Sequence, residues 1–252
     1  GAGPARRPPR AMTPGGIAEN LERVRERIAE AARRAGRSPA GIVLIGVTKT
    51  VSPPRIQEAV DAGLTDLGEN KVQEASGKIP SVRAGKTPLT WHMIGHLQRN
   101  KARRALELFT WIHSVDSADL AGRLDRLAAG SGIRPRVLVE VNLAGESTKH
   151  GVAPADLGGL LEAISPLENL DLAGLMAIPP ALAEGAPADA ARRYFRELAE
   201  LRDRWRSRGY DLPVLSMGMT DDFEIAVEEG ATHVRVGRAI FGERPPVAAP
   251  AA

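Results

Sequence analysis

The first strong pattern along the chain is helical. From residue 17 to residue 35, apolar residues recur three and four positions apart, and charged residues fill many of the positions between them. The apolar positions are Ile17, Leu21, Val24, Ile28, Ala31 and Ala35. This spacing puts their side chains on one face of a helix, and Gly36 follows as a stop signal. An amphipathic helix over residues 17–35 is therefore predicted.

Beyond that helix, short apolar runs alternate with helix-like stretches. Eight runs rich in β-branched and aliphatic residues are candidate strands: residues 42–47, 64–67, 89–94, 111–115, 137–141, 170–178, 214–217 and 233–236. The helix-like stretches between them are residues 53–62, 97–108, 118–129, 154–164, 188–208 and 222–229. Strands that are apolar on both faces and separated by helices are typical of parallel βα units.

Eight units of this kind predict an α/β fold, a single (β/α)8 TIM barrel with an extra N-terminal helix. An open doubly wound sheet is the alternative, but no Gly-x-Gly-x-x-Gly motif follows the first strand. The length of 252 residues suits one such domain. We expect this domain over residues 15–244, with a disordered basic tail or expression remnant at residues 1–14 and a flexible tail at residues 245–252.

Composition removes several classes of protein. The absence of cysteine excludes disulfide scaffolds, thiolate metal sites and cysteine nucleophiles. No apolar run approaches the roughly 18 residues of a spanning helix, and the N-terminus lacks the apolar core of a signal peptide. The net charge of +3 equals the three arginines within residues 1–12, so the remaining chain is neutral overall. We expect a cytoplasmic protein with no nucleic-acid or membrane partner.

Lys49 is the first residue with candidate chemistry, because reactive groups of barrels project from the carboxyl ends of strands. It ends the first apolar run, which would place its ammonium at the mouth of a low-dielectric barrel. Desolvation lowers the pKa of a lysine and frees its amine to form a Schiff base with a carbonyl. The alternative is a lysine whose aliphatic part lies against the strand end while its ammonium reaches solvent. Considered by itself, Lys49 fits this alternative better.

The loops after the last two strands, residues 216–220 and 236–242, are the second candidate. Barrels commonly bind phosphate there, through backbone N–H groups and the N-terminus of a short helix. Gly218 and Gly237 allow close approach to an anion, and Ser216 adds a hydroxyl. Two ordinary glycine turns are the alternative. Together with Lys49, these loops describe a pocket for a phosphorylated aldehyde, of which pyridoxal 5′-phosphate (PLP) is one example.

Ordered sequence blocks then indicate a family. They are VTKT at 47–50, GENKVQE at 68–74, WHMIGHLQRNK at 91–101, HSVD at 113–116, GLMAI at 174–178, LSMGMTDD at 215–222, and VRVG with AIFG within 234–242. Over nearly the whole length from Ile17 to Arg244, the chain resembles the pyridoxal-phosphate homeostasis (YggS/PROSC) family. The fold of that family is similar to the N-terminal barrel of alanine racemase.

The resemblance implies roles for individual residues. Lys49 matches the lysine that holds PLP as a Schiff base. Ser216, Gly218 and the Gly237 loop match the phosphate cradle, and Arg235 matches the arginine that faces the pyridine nitrogen.

Further pocket residues are implied by the same blocks, and they are Asn70, His92, Met176 and Met219. Arg238 stands where the family often has a small hydroxyl residue. An arginine there pairs with the phosphate or points into solvent.

The resemblance favours holding the cofactor over using it. A guanidinium opposite the pyridine nitrogen makes the ring a weak electron sink. Racemases with this arginine add a tyrosine base from a second domain, whereas Tyr194 and Tyr210 are expected to be packing residues and the chain stops about ten residues after the phosphate loop. We therefore expect no dedicated catalysis, a monomer, and a role in PLP homeostasis with PLP-dependent apoenzymes as candidate recipients. A low-activity PLP-dependent racemase and a Schiff-base aldolase are the alternatives.

A metal site is the remaining candidate. His92 and His96 lie four residues apart, which is a ligand spacing on a helix. Because the pair straddles a predicted strand end and Gly95, no metal site is predicted.

Overall fold

The computed structural model describes residues 15–145, 150–180 and 188–243. The two predicted tails, residues 1–14 and 245–252, lie outside the described residues. Within the described ranges, eight parallel strands close into one barrel in chain order, and β8 pairs with β1. The strands are β1 Val43–Val47, β2 Asp66–Glu69, β3 Thr90–Met93, β4 Trp111–Val115, β5 Arg136–Glu140, β6 Asp171–Met176, β7 Val214–Ser216 and β8 His233–Val236. The predicted fold class is confirmed.

Nine α-helices are found in the same described ranges, one before β1 and the others on the outside of the barrel. They are α1 Ile17–Arg34, α2 Pro53–Asp61, α3 Val72–Lys78, α4 Ala102–Leu108, α5 Ala118–Ser131, α6 Leu157–Ile164, α7 Arg192–Arg206, α8 Phe223–Glu228 and α9 Arg238–Phe241. The predicted amphipathic helix corresponds to α1, whose apolar face is buried.

Several predicted boundaries differ from those in the structure. The second strand was predicted at residues 64–67 but lies two residues later and ends at Glu69, whose buried carboxyl accepts from Thr48 and Lys78. The helix predicted from residue 97 begins at Ala102 after a short 3-10 turn, Arg99–Lys101. Helix α3 was not predicted at all, since it has seven residues and buries only Val72 and Ala75.

The barrel interior has an apolar part and a polar part. Five apolar side chains form a separate cluster, Trp111, Leu138, Ala173, Met176 and Val214. In β8, successive side chains alternate between the two faces, so Val234 and Val236 belong to the main apolar core while His233 and Arg235 share the other face. Polar side chains are thereby enclosed inside the barrel.

Helix α1 is an addition that packs against α2, α8 and α9. Its buried Asn20 donates to the carbonyl of Ile240 at 3.0 Å. Arg27 reaches α8 and pairs with Glu224 at 3.1 Å. The predicted extra helix therefore supports the last βα unit, which carries part of the candidate site.

In the described part of the chain, none of the helices combines the length and the apolar character needed to cross a membrane.

Candidate functional site

The barrel mouth brings together residues that are distant in sequence. Strands β1 and β8 are neighbours, with Ile45 in register with Arg235. The segments that follow them meet at one edge, where a cavity of about 230 Å³ is lined by Lys49, Gly237 and Arg238 among others. The candidate lysine and one of the candidate phosphate loops thus share a cavity.

The backbone on both sides of Lys49 is held by α3. The Lys78 ammonium donates to the carbonyl oxygen of Thr48 at 2.7 Å and to Glu74 Oε1 at 2.5 Å. The same Glu74 oxygen accepts the backbone N–H of Thr50 at 2.5 Å. Thr50 has φ 64°, in the left-handed region that a β-branched residue rarely adopts. Lys49 therefore lies between two residues that are both tied to one helix.

Glu69 completes this cluster from the end of β2. Its buried Oε1 accepts from Thr48 Oγ1 at 2.7 Å and from Lys78 Nζ at 3.0 Å. Burial raises the pKa of Glu69, and its contacts with Thr48 and Lys78 act in the opposite direction. None of Glu69, Glu74 and Lys78 was predicted as a site residue. Their signal was the family block at residues 68–74, which contains the two glutamates.

Asn70 follows β2 directly and lies against the backbone of the next loop. A Cβ atom on Gly95 would be 2.4 Å from the carbonyl oxygen of Asn70 and 2.8 Å from its Cα. Close packing of the two backbones therefore requires glycine at position 95. The buried Oδ1 of Asn70 has no hydrogen-bond partner among the described residues, which leaves an acceptor available at this strand end.

The loop after β7 depends on a glycine in the left-handed region. Gly218 has φ 93°, and a Cβ atom there would be 2.5 Å from the Cβ of Ala226. The next residue, Met219, donates its backbone N–H to Asp222 Oδ1 at 2.6 Å, and its side chain is exposed. Gly237 precedes α9, whose first N–H groups lack intrahelical acceptors. The loop at Gly237 can therefore present backbone donors to an anion, whereas the Met219 N–H in the loop after β7 is bonded to Asp222.

Arg235 and Ser216 lie inside the barrel, at the ends of β8 and β7. Arg235 Nη1 donates to Ser216 Oγ at 2.6 Å, and Nη2 donates to the carbonyl of Ala177 at 3.0 Å. Burial lowers the pKa of Arg235 to about 10, against the opposing charges of Asp222 and Glu140. The arginine is still a cation at neutral pH. The Ser216 hydroxyl, at the start of the candidate phosphate loop 216–220, is therefore bonded to this guanidinium inside the barrel.

Glu140, at the end of β5, is a second ionisable group near Arg235. Burial, and then repulsion by Asp116, raise the pKa of Glu140 to about 7, while Arg235 acts to lower it. Its Oε2 atom has no hydrogen-bond partner among the described residues. Part of this carboxyl population is therefore protonated at neutral pH.

His92 and Met176 are buried inside the barrel and do not line the cavity. His92 is completely buried, stacks on Trp111 with ring centroids 5.5 Å apart, and bonds to Asp66 and His113. Met176 is also completely buried, within the interior apolar cluster. Both side chains therefore belong to the barrel interior, and neither lies among the residues that line the cavity.

Arg238 lines the cavity but bonds to acidic residues. Its guanidinium pairs with Asp221, from the loop after β7, and approaches Glu243 at 3.8 Å. Arg238 therefore connects the two candidate phosphate loops. It is half-exposed, with 42% of its side chain accessible.

His96 does not approach His92 as a ligand partner. It lies at the mouth, with Nδ1 3.4 Å from Asp116 Oδ2 and its ring stacked on His150 at a centroid distance of 3.5 Å and an angle of 7°. The possible ligand atoms of His96, Asp116 and His150 all lie within 4.8 Å of one another. Imidazole lone pairs lie in the ring planes, and two parallel planes do not meet at a shared ion. This arrangement is therefore a stack beside a carboxylate.

Two comparisons with known proteins decide the family. The model described as "Alanine racemase, N-terminal domain" matches residues 19–245, which include all eight strands. A relative from Pseudomonas aeruginosa, named pyridoxal phosphate homeostasis protein, is 47% identical over 229 residues, which are 90% of this chain and 96% of the relative. The chain belongs to the pyridoxal phosphate homeostasis family. The resemblance of the sequence blocks to this family is confirmed.

Further members of the family match over the same length. The Aquifex aeolicus pyridoxal phosphate homeostasis protein is 46% identical over 227 residues, covering 90% of this chain and 97% of that protein. PipY of Synechococcus elongatus, solved with PLP bound, is 39% identical with a TM-score of 0.79, covering 90% of this chain and 100% of PipY. The similarity to these proteins therefore extends from the sequence to the fold.

Proposed function

We propose that this chain binds PLP at the barrel mouth, with Lys49 as the residue that forms a Schiff base with it, and that it takes part in PLP homeostasis or delivery. The observation that carries the proposal is the cavity that Lys49 shares with Gly237. PipY, a relative that covers nine-tenths of this chain, has been solved with PLP bound. The similar bacterial proteins are named for PLP homeostasis.

The residues at this mouth fit the chemical groups of PLP. When bound, PLP supplies an aldehyde that condenses with a lysine amine, with loss of water, and a phosphate. The amine of Lys49 and the backbone donors at Gly237 lie on one cavity. The loop at Gly218 is proposed to complete the phosphate site, and the φ of 93° at this position favours glycine. Asn70 supplies an unpaired acceptor for a polar substituent of the ring.

Arg235 is proposed to face the pyridine nitrogen. Its guanidinium is held by Ser216 and the carbonyl of Ala177. With a pKa of about 10, Arg235 keeps its proton at neutral pH and disfavours a second positive charge on the ring nitrogen. A ring without that charge is a weak electron sink, which supports storage or delivery over dedicated catalysis.

The proposal includes the cellular setting. We propose that the protein acts in the cytoplasm as a monomer, without nucleic-acid or membrane partners, and that PLP-dependent apoenzymes receive its cofactor. Support for the cytoplasm comes from the absence of cysteine, which suits a reducing compartment.

A visible spectrum tests PLP binding. Purified protein is mixed with PLP, freed of excess by gel filtration and scanned before and after borohydride. We expect an absorption band in the wild type that borohydride removes, and no such band in Lys49→Met. Lys86→Met is the matched control, because Lys86 is exposed and lies outside the cavity. A wild type that stays colourless under these conditions contradicts the proposal.

A second assay separates binding from catalysis. PLP-loaded protein is incubated with L-alanine and other L-amino acids, and the enantiomers are resolved over time. We expect no turnover above that of free PLP. Racemisation at many turnovers, lost in Lys49→Met, would show that the protein is an enzyme and not only a carrier.

A further inference from the structure

A continuous chain of hydrogen bonds crosses the barrel interior below the proposed cofactor site. Asp66 Oδ1 lies 3.0 Å from His92 Nε2, and His92 Nδ1 lies 3.0 Å from His113 Nε2. His113 Nδ1 lies 2.9 Å from Ser216 Oγ, which accepts from Arg235 Nη1 at 2.6 Å. The chain runs from the start of β2 to the ends of β7 and β8. Its two histidines and Ser216 are completely buried.

The two ends of this chain differ in hydrogen-bonding capacity. The guanidinium of Arg235 can only donate, whereas an ionised carboxylate can only accept. Burial acts to raise the pKa of Asp66, but the hydrogen bonds from His92 and Thr65, together with the charge interactions with His92 and His233, outweigh it, so the pKa of Asp66 is lowered. Burial lowers the pKa values of His92 and His113. At neutral pH the chain therefore joins a cation to a carboxylate through two neutral imidazoles.

Only one arrangement of protons satisfies all four hydrogen bonds. A neutral imidazole has one donor nitrogen and one acceptor nitrogen. His92 must donate from Nε2 to Asp66, and its Nδ1 must accept from Nε2–H of His113. The Nδ1 of His113 must then accept the hydroxyl proton of Ser216. This leaves the lone pairs of Ser216 directed to Arg235.

We propose that Asp66, His92 and His113 are positioning residues for Arg235, because they fix the Ser216 hydroxyl as the acceptor of its guanidinium. Asp66 sets the donor-to-acceptor direction of every hydrogen bond in this chain. It does so although it lies three residues before the end of β2 and does not line the cavity. The proposal rests on the proposed function only in taking Arg235 as the group that faces the pyridine nitrogen.

The opposite set of proton positions along the chain shows why the Asp66 carboxylate matters. If His92 carried its proton on Nδ1, His113 would accept at Nε2 and donate from Nδ1 to Ser216. Ser216 Oγ would then receive two donors, and its own proton would lack the His113 acceptor.

The proton positions can be measured without cofactor. Protein labelled with 15N in its imidazoles is examined by long-range 1H–15N correlation spectra, with His92→Gln and His113→Gln used only to assign the signals. We expect both histidines in the wild type to be neutral near pH 7, with the proton on Nε2. A proton on Nδ1 of either ring, or on both nitrogens, would overturn the proposal whether or not PLP binds.

The effect on the cofactor is measured with three aspartate variants. Asp66→Asn retains an acceptor for His92, and Asp66→Ala removes it. Asp171→Ala is the matched control, because Asp171 also begins a strand but is 42% exposed and pairs with Arg136, which is not part of the hydrogen-bond chain. Circular dichroism confirms that each variant is folded.

In Asp66→Ala we expect PLP affinity to fall by about tenfold and the pH titration of the bound cofactor's visible band to shift, because Arg235 is less firmly oriented. Asp66→Asn and Asp171→Ala should stay within about twofold of the wild type. A folded Asp66→Ala with wild-type affinity and titration would overturn the positioning role. Loss of PLP binding in the wild type itself would instead contradict the proposed function.

Discussion

At the scale of single residues, the environment of Lys49 depends on neighbours from another element. The residue before it and the residue after it are both bonded to α3, through Lys78 and Glu74. A lysine at a strand end has many rotamers, and fixing its backbone reduces the entropy lost when its amine engages an aldehyde. We call Lys78 and Glu74 the clamp. The clamp belongs to the site even though neither of its residues lines the cavity with Lys49.

Removing the clamp cation tests this argument. In Lys78→Met, Glu69 and Glu74 lose their shared partner and the carbonyl of Thr48 loses its donor. We expect PLP affinity to fall by about tenfold, since the hydrogen bonds that involve a charged group are each worth about 1.5–3 kcal/mol and part of that loss reaches Lys49. Stopped-flow mixing with PLP measures the change. Lys86→Met should match the wild type; an unchanged Lys78→Met would contradict the clamp.

The buried histidines predict a pH dependence of stability. Burial, and then the charge of His92, lower the pKa of His233 to about 3, below the value of about 6.5 for an unfolded chain. Between these values the unfolded state binds one more proton, so the free energy of unfolding falls by about 1.4 kcal/mol per pH unit as the pH decreases. Urea unfolding at pH 6 and pH 5 should show a shallower decrease in His233→Gln.

Glu140 provides a control of opposite sign. Its folded pKa of about 7 exceeds the unfolded value, so the folded state binds more protons between about pH 4.5 and pH 7. In Glu140→Gln, stability should therefore fall more steeply on acidification than in the wild type. Identical slopes in the wild type and both variants would show that neither group is buried as described.

At the scale of elements, the strands were predictable because they are apolar on both faces. In β5, Leu138 faces the interior cluster while Val137 and Val139 belong to the core under the helices. Helix α3 lacked such a signal, because its two buried residues are too few to define a period. The clamp residues on α3 were missed for the same reason, and their contact with β1 depends on tertiary packing.

The interior polar chain was also beyond prediction from sequence. His113 and His233 lie within apolar runs, and the alternation of side chains places each of them on the inner face with Trp111 and Arg235 respectively. Which side chains then meet depends on the strand register, which for example aligns His92 of β3 with Gly68 of β2. Sequence indicated Lys49, the glycine loops and the family, but not the bonds between strands.

The contact between the β2 and β3 loops predicts the effects of two glycine substitutions. Gly95→Ala should lower the free energy of unfolding by about 1–3 kcal/mol and weaken PLP binding, because its Cβ would meet the backbone of Asn70 at 2.4 Å. Gly77→Ala, in the last turn of α3 with open space around the added carbon, should stabilise the protein by about 0.5–1 kcal/mol. Urea unfolding measures both, and equal effects would contradict the packing described here.

At the scale of the whole molecule, ion pairs join helices α1 and α7 to helix α8. Arg34 of α1 and Arg192 of α7 both pair with Glu228 of α8, at 2.9 Å and 2.7 Å. Arg192 also pairs with Glu229 at 2.5 Å, and these arginines hold the pKa values of both carboxyls low. The two glutamates are largely buried, so their charges depend on these partners.

Arg192→Met should therefore cost far more than a surface substitution. The variant leaves the largely buried carboxylates of Glu228 and Glu229 with fewer cationic partners. Removing one partner of a buried ion pair costs about 3 kcal/mol of stability. The matched control is Arg204→Met on the exposed side of the same helix, which should change stability by less than about 0.5 kcal/mol. Thermal unfolding of the two variants compares them; similar midpoints would show that the network is not important to the fold.

The most direct test of the account is the location of the covalent bond. Protein loaded with PLP is reduced with borohydride, digested and mapped by mass spectrometry. We predict one modified peptide, carrying the pyridoxyl phosphate group on Lys49, and no corresponding adduct in Lys49→Met. A wild type in which Lys49 is unmodified while another lysine carries the group would contradict the assignment of the barrel mouth as the cofactor site.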